Sequence, residues 1–168
     1  MRKVIVSDYN ENWKRQFQEA AAEIQEVFGK ECIAIHHIGS TAIDGLAAKP
    51  IIDLMPVVRE IEAVDQFNSR LEKRGYIAKG ENGLPGRRYF QKGGDERTHH
   101  VHIYEKGSNE IKRHLAFREY LKKHPQKAEK YGTLKKELAK KYPIDIESYI
   151  QGKEQLVKAI EKQAMEDF

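Results

Sequence analysis

The stretch His36-His37-Ile38-Gly39-Ser40-Thr41, followed by Lys49-Pro50-Ile51-Ile52-Asp53-Leu54, combines a small-residue turn with one carboxylate on an apolar strand. Such a turn lets backbone N–H groups and hydroxyls approach a phosphate closely, because no bulky Cβ substituent intervenes. Gly39, Ser40 and Thr41 are therefore candidate phosphate ligands, with Lys49 as a countercharge. The competing reading of the same residues is a tight strand exit with capping hydroxyls. Asp53 is harder to explain as scaffold. On a strand it shares a face with Ile51 and Met55, where a carboxylate needs a cation or a hydrogen-bonded partner. Carboxylate oxygens suit Mg²⁺ and Mn²⁺, which makes Asp53 the candidate catalytic and metal-binding acid.

The second chemical feature is Thr98-His99-His100-Val101-His102-Ile103-Tyr104. Strand alternation puts His100, His102 and Tyr104 on one face, and two imidazoles at i and i+2 can converge on a metal or a phosphate. Neutral imidazole suits Zn²⁺ or Mn²⁺ better than Mg²⁺. The candidate cofactor is thus a divalent metal, Mg or Mn through Asp53, or Zn with help from His100 and His102. A hydrogen-bonded structural pair is the alternative. Arg87 and Arg88 open the preceding strand and point in opposite directions, so at most one of them faces the site. A guanidinium fork matches phosphate geometry, so either could clamp a triphosphate, with Arg88 as the named candidate and a surface arginine as the equally common alternative. His114 and Arg118 lie one helical turn apart, and Arg118 and Lys135 could reach one ligand. The chain has no Gly-x-Ser-x-Gly elbow, Walker A sequence or Cys-x-x-Cys pair.

These residues need elements to position them. After a short first strand, Trp13, Phe17, Ala20, Ile24 and Phe28 trace a helix from about Asn10, with Gly29 as its stop. Cys32 to Ile38 and Ile51 to Val58 read as strands, and Glu60 to Arg74 as an amphipathic helix ended by Gly75. Tyr76 to Lys79 is a short strand; residues 80–86 form a Gly-rich loop. Arg87 to Gln91 and Thr98 to Tyr104 form a hairpin around Gly93-Gly94-Asp95. From Asn109 onward the period is helical, with Pro125 and Pro143 between helices. The fold class is α+β, with one domain over residues 1–168. Its sheet-rich segment, residues 1–105, is a mixed sheet flanked by helices, and its C-terminal third, residues 109–166, is helical.

Composition narrows the function classes. Charged residues make up 33% of the 168, mean hydropathy is −0.75, and no run reaches the roughly eighteen apolar residues of a membrane span. The N-terminal apolar run is too short for a secretion signal. Cys32, the single cysteine, sits among apolar neighbours and reads as a buried free thiol. A cytoplasmic location and no membrane partner are the expectation. Between Lys112 and Tyr142 there are eleven Lys/Arg against three acids. That patch could attract an anionic substrate or a nucleic acid, but a pair of solvated helix faces is the favoured reading, and no aromatic RNA-binding motif accompanies it.

The segments His37-Ile38-Gly39-Ser40-Thr41-Ala42, Gly45 to Asp53, Pro85 to Phe90, Thr98 to His102 and Arg113 to Leu121, with Tyr149 and Lys153, together resemble the GrpB family along nearly the whole chain. The resemblance implies the nucleotidyltransferase fold superfamily that includes DNA polymerase beta. In that superfamily a Gly-Ser turn holds nucleoside triphosphate phosphates and carboxylates hold two Mg²⁺ ions. Gly39-Ser40 and Asp53 match the pattern, whereas the second acid would fall at Met55, and Asp44 stands where the family usually has proline. The implied function is a nucleotidyltransferase acting on a nucleoside triphosphate and an unspecified acceptor. The alternative is a non-catalytic nucleotide- or anion-binding module linked to coenzyme A metabolism, since a similar domain is fused to dephospho-CoA kinases.

Overall fold

A computed structural model describes residues 1–168. Helix α1, Asn12–Phe28, buries Trp13, Ala20, Ile24 and Phe28, the stripe that its sequence spacing predicts, and ends at Gly29 with φ of 56°. Strand β1, Cys32–Ile38, pairs antiparallel with β2, Ile52–Val58. Parallel to β2 runs β5, His99–Glu105, which in turn pairs antiparallel with β4, Arg87–Lys92. The two-residue β3, Ile77–Ala78, completes a mixed sheet in the order β1-β2-β5-β4-β3. The register sets Asp53 beside His100 on the neighbouring strand.

Two expected elements differ. Residues near the N-terminus form no strand, only an isolated bridge between Ser7 and Ala48. Val4 instead packs with Leu138 and Tyr149, so helices rather than the sheet bury this segment. The segment expected as one helix from Glu60 to Arg74 is a 3₁₀ helix, Ile61–Phe67, followed by α2, Asn68–Glu72. Ile61, Val64 and Phe67 are three apart and all pack against the main core. A 3₁₀ winding aligns residues at that spacing on one line, which an α-helix does not.

The C-terminal helices are α3, Asn109–Lys123, α4, Pro125–Lys141, and α5, Ile146–Asp167. Ser108 caps α3 through Glu110 N–H, Pro125 opens α4 at a position where no N–H is needed, and Asp145 caps α5 through Ser148 N–H. One face of the sheet, with Leu54, Val58, Val101 and Ile103, is covered by α1, the 3₁₀ helix and α2. On the other face Ile38, Met55 and Tyr104 pack against Leu84, Ile111 and Leu115. Ile43 and Leu46 insert among Tyr120, Leu121, Tyr131 and Ile160, anchoring the loop after the Gly-Ser turn to the helices. No helix is long and apolar enough to cross a membrane.

Candidate functional site

Asp53, His100 and His102 meet on the sheet face that α1 does not cover. Asp53 Oδ1 lies 3.0 Å from Nε2 of His102 and 3.4 Å from Nδ1 of His100. Arg97 Nη1 lies 3.1 Å from Nε2 of His100. Guanidinium only donates, so Nε2 of His100 accepts, and the neutral ring carries its proton on Nδ1 toward Asp53. Burial pushes His100 down from the ordinary histidine range, in keeping with that neutral form. For Asp53, burial acts upward, but hydrogen bonds and charge from His100 and His102 prevail and hold the carboxyl below the usual carboxylate range. One donor atom from each of the three residues fits within 4.8 Å of the others. A carboxylate with two imidazoles is a ligand set for a divalent transition ion.

The Gly-Ser turn abuts this acid. Gly39 has φ of 72°, and a Cβ there would stand 2.6 Å from Asp53 Oδ2, so the turn can pass so close to the carboxylate only as glycine. Ser40 and Thr41 follow in a single 3₁₀ turn, Ser40–Ala42. Thr41 is buried, its Oγ1 2.9 Å from Nε2 of His37, which stacks on Phe17. Burial pushes His37 down to about 4 and His114, behind His102, down to about 3.

Beside Asp53 a cavity of about 330 Å³ opens between sheet, turn and helices, lined by Ser40, Lys49, His100, Lys135, Tyr149 and Lys153 among others. Lys135, on α4, is 1% exposed, and its Nζ lies 2.8 Å from Ser40 Oγ and 4.3 Å from the Tyr131 ring centre. Lys49 and Lys153 flank the Tyr149 ring at 5.2 and 5.3 Å. None of these lysines forms a salt bridge. Burial, reinforced by repulsion from Lys153, pushes Lys135 down to about 6 and Lys49 down to about 8. Lys49 and Lys153 bring positive charge, and Lys135 a further amine, to a cavity lined by one acid, an electrostatic setting that favours an anion.

Of the residues read from sequence, Gly39, Ser40, Thr41, Lys49, Asp53, His100 and His102 thus come together. Arg88 does not. Its register partner is Ile103, on the face covered by the 3₁₀ helix, and it pairs with Asp65 at 2.8 Å. Arg87 takes the site face, stacking over Tyr89 at 5.1 Å. Arg118 and Lys135 do not share a ligand site: Arg118 donates to the His37 carbonyl and lines a separate cavity of about 940 Å³ with Lys14, Lys122 and Lys136. Asp44 is held away by Lys14 at 3.1 Å and by the Tyr9 hydroxyl. Sequence reasoning missed Lys153, Tyr149 and Arg97 as members of the site. A signal existed: Tyr131 and Lys135, and again Tyr149 and Lys153, are one turn apart, lysines set on or beside an apolar stripe.

The GrpB protein family matches residues 3–163. The chain is similar to the UPF0157 protein YqkA of Bacillus subtilis (strain 168), with 55% identity over 163 residues that cover 97% of this chain and 48% of that protein. It therefore spans about half the length of that relative. The crystal structure of the conserved protein GrpB from Enterococcus faecalis aligns with a TM-score of 0.94 at 48% identity, covering 97% of this chain and 98% of the other. Cid1 in complex with its short product ApU aligns with a TM-score of 0.53 at 14% identity, over 76% of this chain and 41% of that one. That distance speaks for the fold alone, and the fold is nucleotidyltransferase-like. With a family match over almost its full length and close relatives in sequence and in structure, the chain belongs to the GrpB family.

Proposed function

We propose that this cleft binds the polyphosphate of a nucleoside triphosphate together with one divalent metal ion, and that the protein is a nucleotidyltransferase. The observation that carries the reading is the lysine trio Lys49, Lys135 and Lys153 gathered around the Gly39-Ser40 turn with Asp53 as the one acid lining the cavity. Ser40, Thr41 and Lys49, with Lys135 and Lys153, hold phosphate oxygens. Asp53, His100 and His102 hold the ion, whose chemistry is neutralisation of phosphate charge and polarisation of the phosphorus. Mn²⁺ or Zn²⁺ suits two imidazoles and one carboxylate better than Mg²⁺. Arg97, against His100, adds positive charge near the cleft. Catalysis of this kind is mostly positioning and charge neutralisation. The nucleotidyltransferase-like fold supports the reading.

One observation favours a second reading. Met55 is fully buried where a second acid would help to hold a second ion, so a module that binds a nucleotide or another polyanion without transferring it fits the same residues. Calorimetry with ATP, GTP, CTP and UTP, each with Mg²⁺, Mn²⁺ or Zn²⁺, tests what the two readings share. Metal-dependent binding that disappears in Asp53→Asn is the expected result. Equal binding by wild type and Asp53→Asn removes Asp53 and its histidines from the site. Pyrophosphate release on adding candidate acceptors then separates transferase from module.

A further inference from the structure

We infer that Ser40 is a nucleophile with Lys135 as its base, and that it takes a phosphoryl or nucleotidyl group onto its own oxygen before any second acceptor is served. This deepens the proposed function and rests on it for the identity of the natural substrate, a phosphoric anhydride.

A lysine ammonium carries three donors and no acceptor, and it is seldom fully buried without a paired charge. Lys135 has Ser40 Oγ at 2.8 Å as its one hydrogen-bond partner and otherwise faces the Tyr131 ring. Its neighbours from the surrounding elements are Lys49, Lys153 and Tyr149, with Asp53 and His100 across the cavity. Two of these are cations and one is a carboxylate already engaged by two imidazoles. An unpaired amine in that setting is better accommodated neutral, and its depressed pKa agrees. A neutral amine offers a lone pair, so the Ser40 hydroxyl can donate to Nζ. A hydroxyl hydrogen-bonded to a buried base is the arrangement that activates a nucleophile. Ser40 also lines the cavity, so a ligand seated there lies beside it.

The site's missing acid gives the pair a purpose. Asp53 is the one acid lining the cavity, and Met55, on the same strand face, is buried and apolar, so the cleft offers no second carboxylate for a second ion that would deprotonate an incoming hydroxyl. A serine with its own base does that work internally. The step balances without another reagent. The Ser40 Oγ–P bond forms as the P–O bond to the departing phosphate breaks; that electron pair leaves on the phosphate oxygen, and the hydroxyl proton moves to Lys135 Nζ. Attack at the terminal phosphorus gives phosphoserine and a nucleoside diphosphate; attack at the innermost phosphorus gives nucleotidyl-serine and pyrophosphate.

The test uses an alkyl fluorophosphonate, which a base-activated serine displaces with loss of fluoride and which requires no nucleotide. Intact-mass spectrometry and peptide mapping are expected to find a single adduct on Ser40 in the folded protein. The adduct is expected to vanish in Ser40→Ala and to form about a hundredfold more slowly in Lys135→Met. Circular dichroism checks that both variants fold. Wild type that stays unlabelled at Ser40, or Lys135→Met labelled at the wild-type rate, overturns the dyad. Incubation with ATP runs in parallel: a mass gain on Ser40 of one phosphoryl or one adenylyl group supports the covalent step and names the phosphorus attacked. ATP that binds yet leaves Ser40 unmodified, with no fluorophosphonate adduct, overturns the dyad and leaves the nucleotide reading intact. Failure of ATP to bind counts against the nucleotide reading, and the fluorophosphonate result then decides the dyad by itself.

Discussion

A Cβ on Gly39 would stand 2.6 Å from Oδ2 of Asp53, so the turn proposed to hold phosphate and the acid proposed to hold metal are fitted to each other through a missing side chain. The backbone there has φ of 72°, a region that L-residues avoid. Gly39→Ala is therefore strained twice, by its own dihedral and by the carboxylate it must displace. A loss of about 1–3 kcal/mol in urea unfolding is expected, together with weaker Mn²⁺ binding because Asp53 is pushed off its two histidines. Unchanged metal affinity in this variant would show that Asp53 has room to move.

Lys135 is a group held at a cost to the fold. Its folded-state pKa of about 6 lies below the ordinary lysine value of 10.5, so the unfolded chain binds more protons between those two values and stability rises with pH across that window. Below about pH 6 the penalty is fully present. Lys135→Met removes it while keeping the volume and the Tyr131 contact. The variant is expected to be more stable at pH 7, on the order of 1–4 kcal/mol, with the gain larger at pH 6 than at pH 9. The same variant loses polyphosphate affinity. Thermal melts at the two pH values, paired with calorimetry, check both halves; a destabilised variant would mean that Lys135 is charged and satisfied where it sits.

Arg97 holds His100 in the tautomer that keeps a proton, not a lone pair, toward Asp53. It donates into the Nε2 lone pair of His100 at 3.1 Å, which fixes the proton on the nitrogen that faces Asp53. A metal bound through that nitrogen requires the proton on Nε2, and then Arg97 must turn away. Arg97→Gln removes a competing cation and offers a carbonyl to the Nε2 proton. Its affinity for Mn²⁺ or Zn²⁺ without nucleotide is expected to rise about tenfold, the scale of such supporting contacts. A titration showing weaker binding would mean that His100 acts only through its contact with Arg97.

Much of this arrangement is legible in the chain. Trp13 to Phe28 announces α1 by its spacing, and period two puts Asp53 with Met55 and His100 with His102 on strand faces, as found. What periodicity cannot supply is which strands lie side by side. The β2–β5 pairing brings Asp53 to His100, and that adjacency is a property of topology rather than of local pattern. Arg87 and Arg88 illustrate the limit: alternation separates them, but only the sheet's two different coverings decide that Arg87 shares the site's face and Arg88 meets Asp65. The lysines on α4 and α5 look like surface charge in sequence, because single-helix patterns do not reveal which stripe faces a cleft. The 3₁₀ segment escapes for a related reason, since spacings of three occur in both helix types and the sheet against which Ile61, Val64 and Phe67 align is needed to choose between them.

The most direct test of the central claim is a crystal structure of the protein with Mn²⁺ and a non-hydrolysable nucleoside triphosphate analogue, with the metal located by anomalous scattering. One ion is expected, bound by Asp53, His100 and His102, with phosphate oxygens on Ser40, Lys49 and Lys135. A nucleotide seated elsewhere, or bound in this cleft with the two histidines still hydrogen-bonded to an unmetallated Asp53, would contradict it.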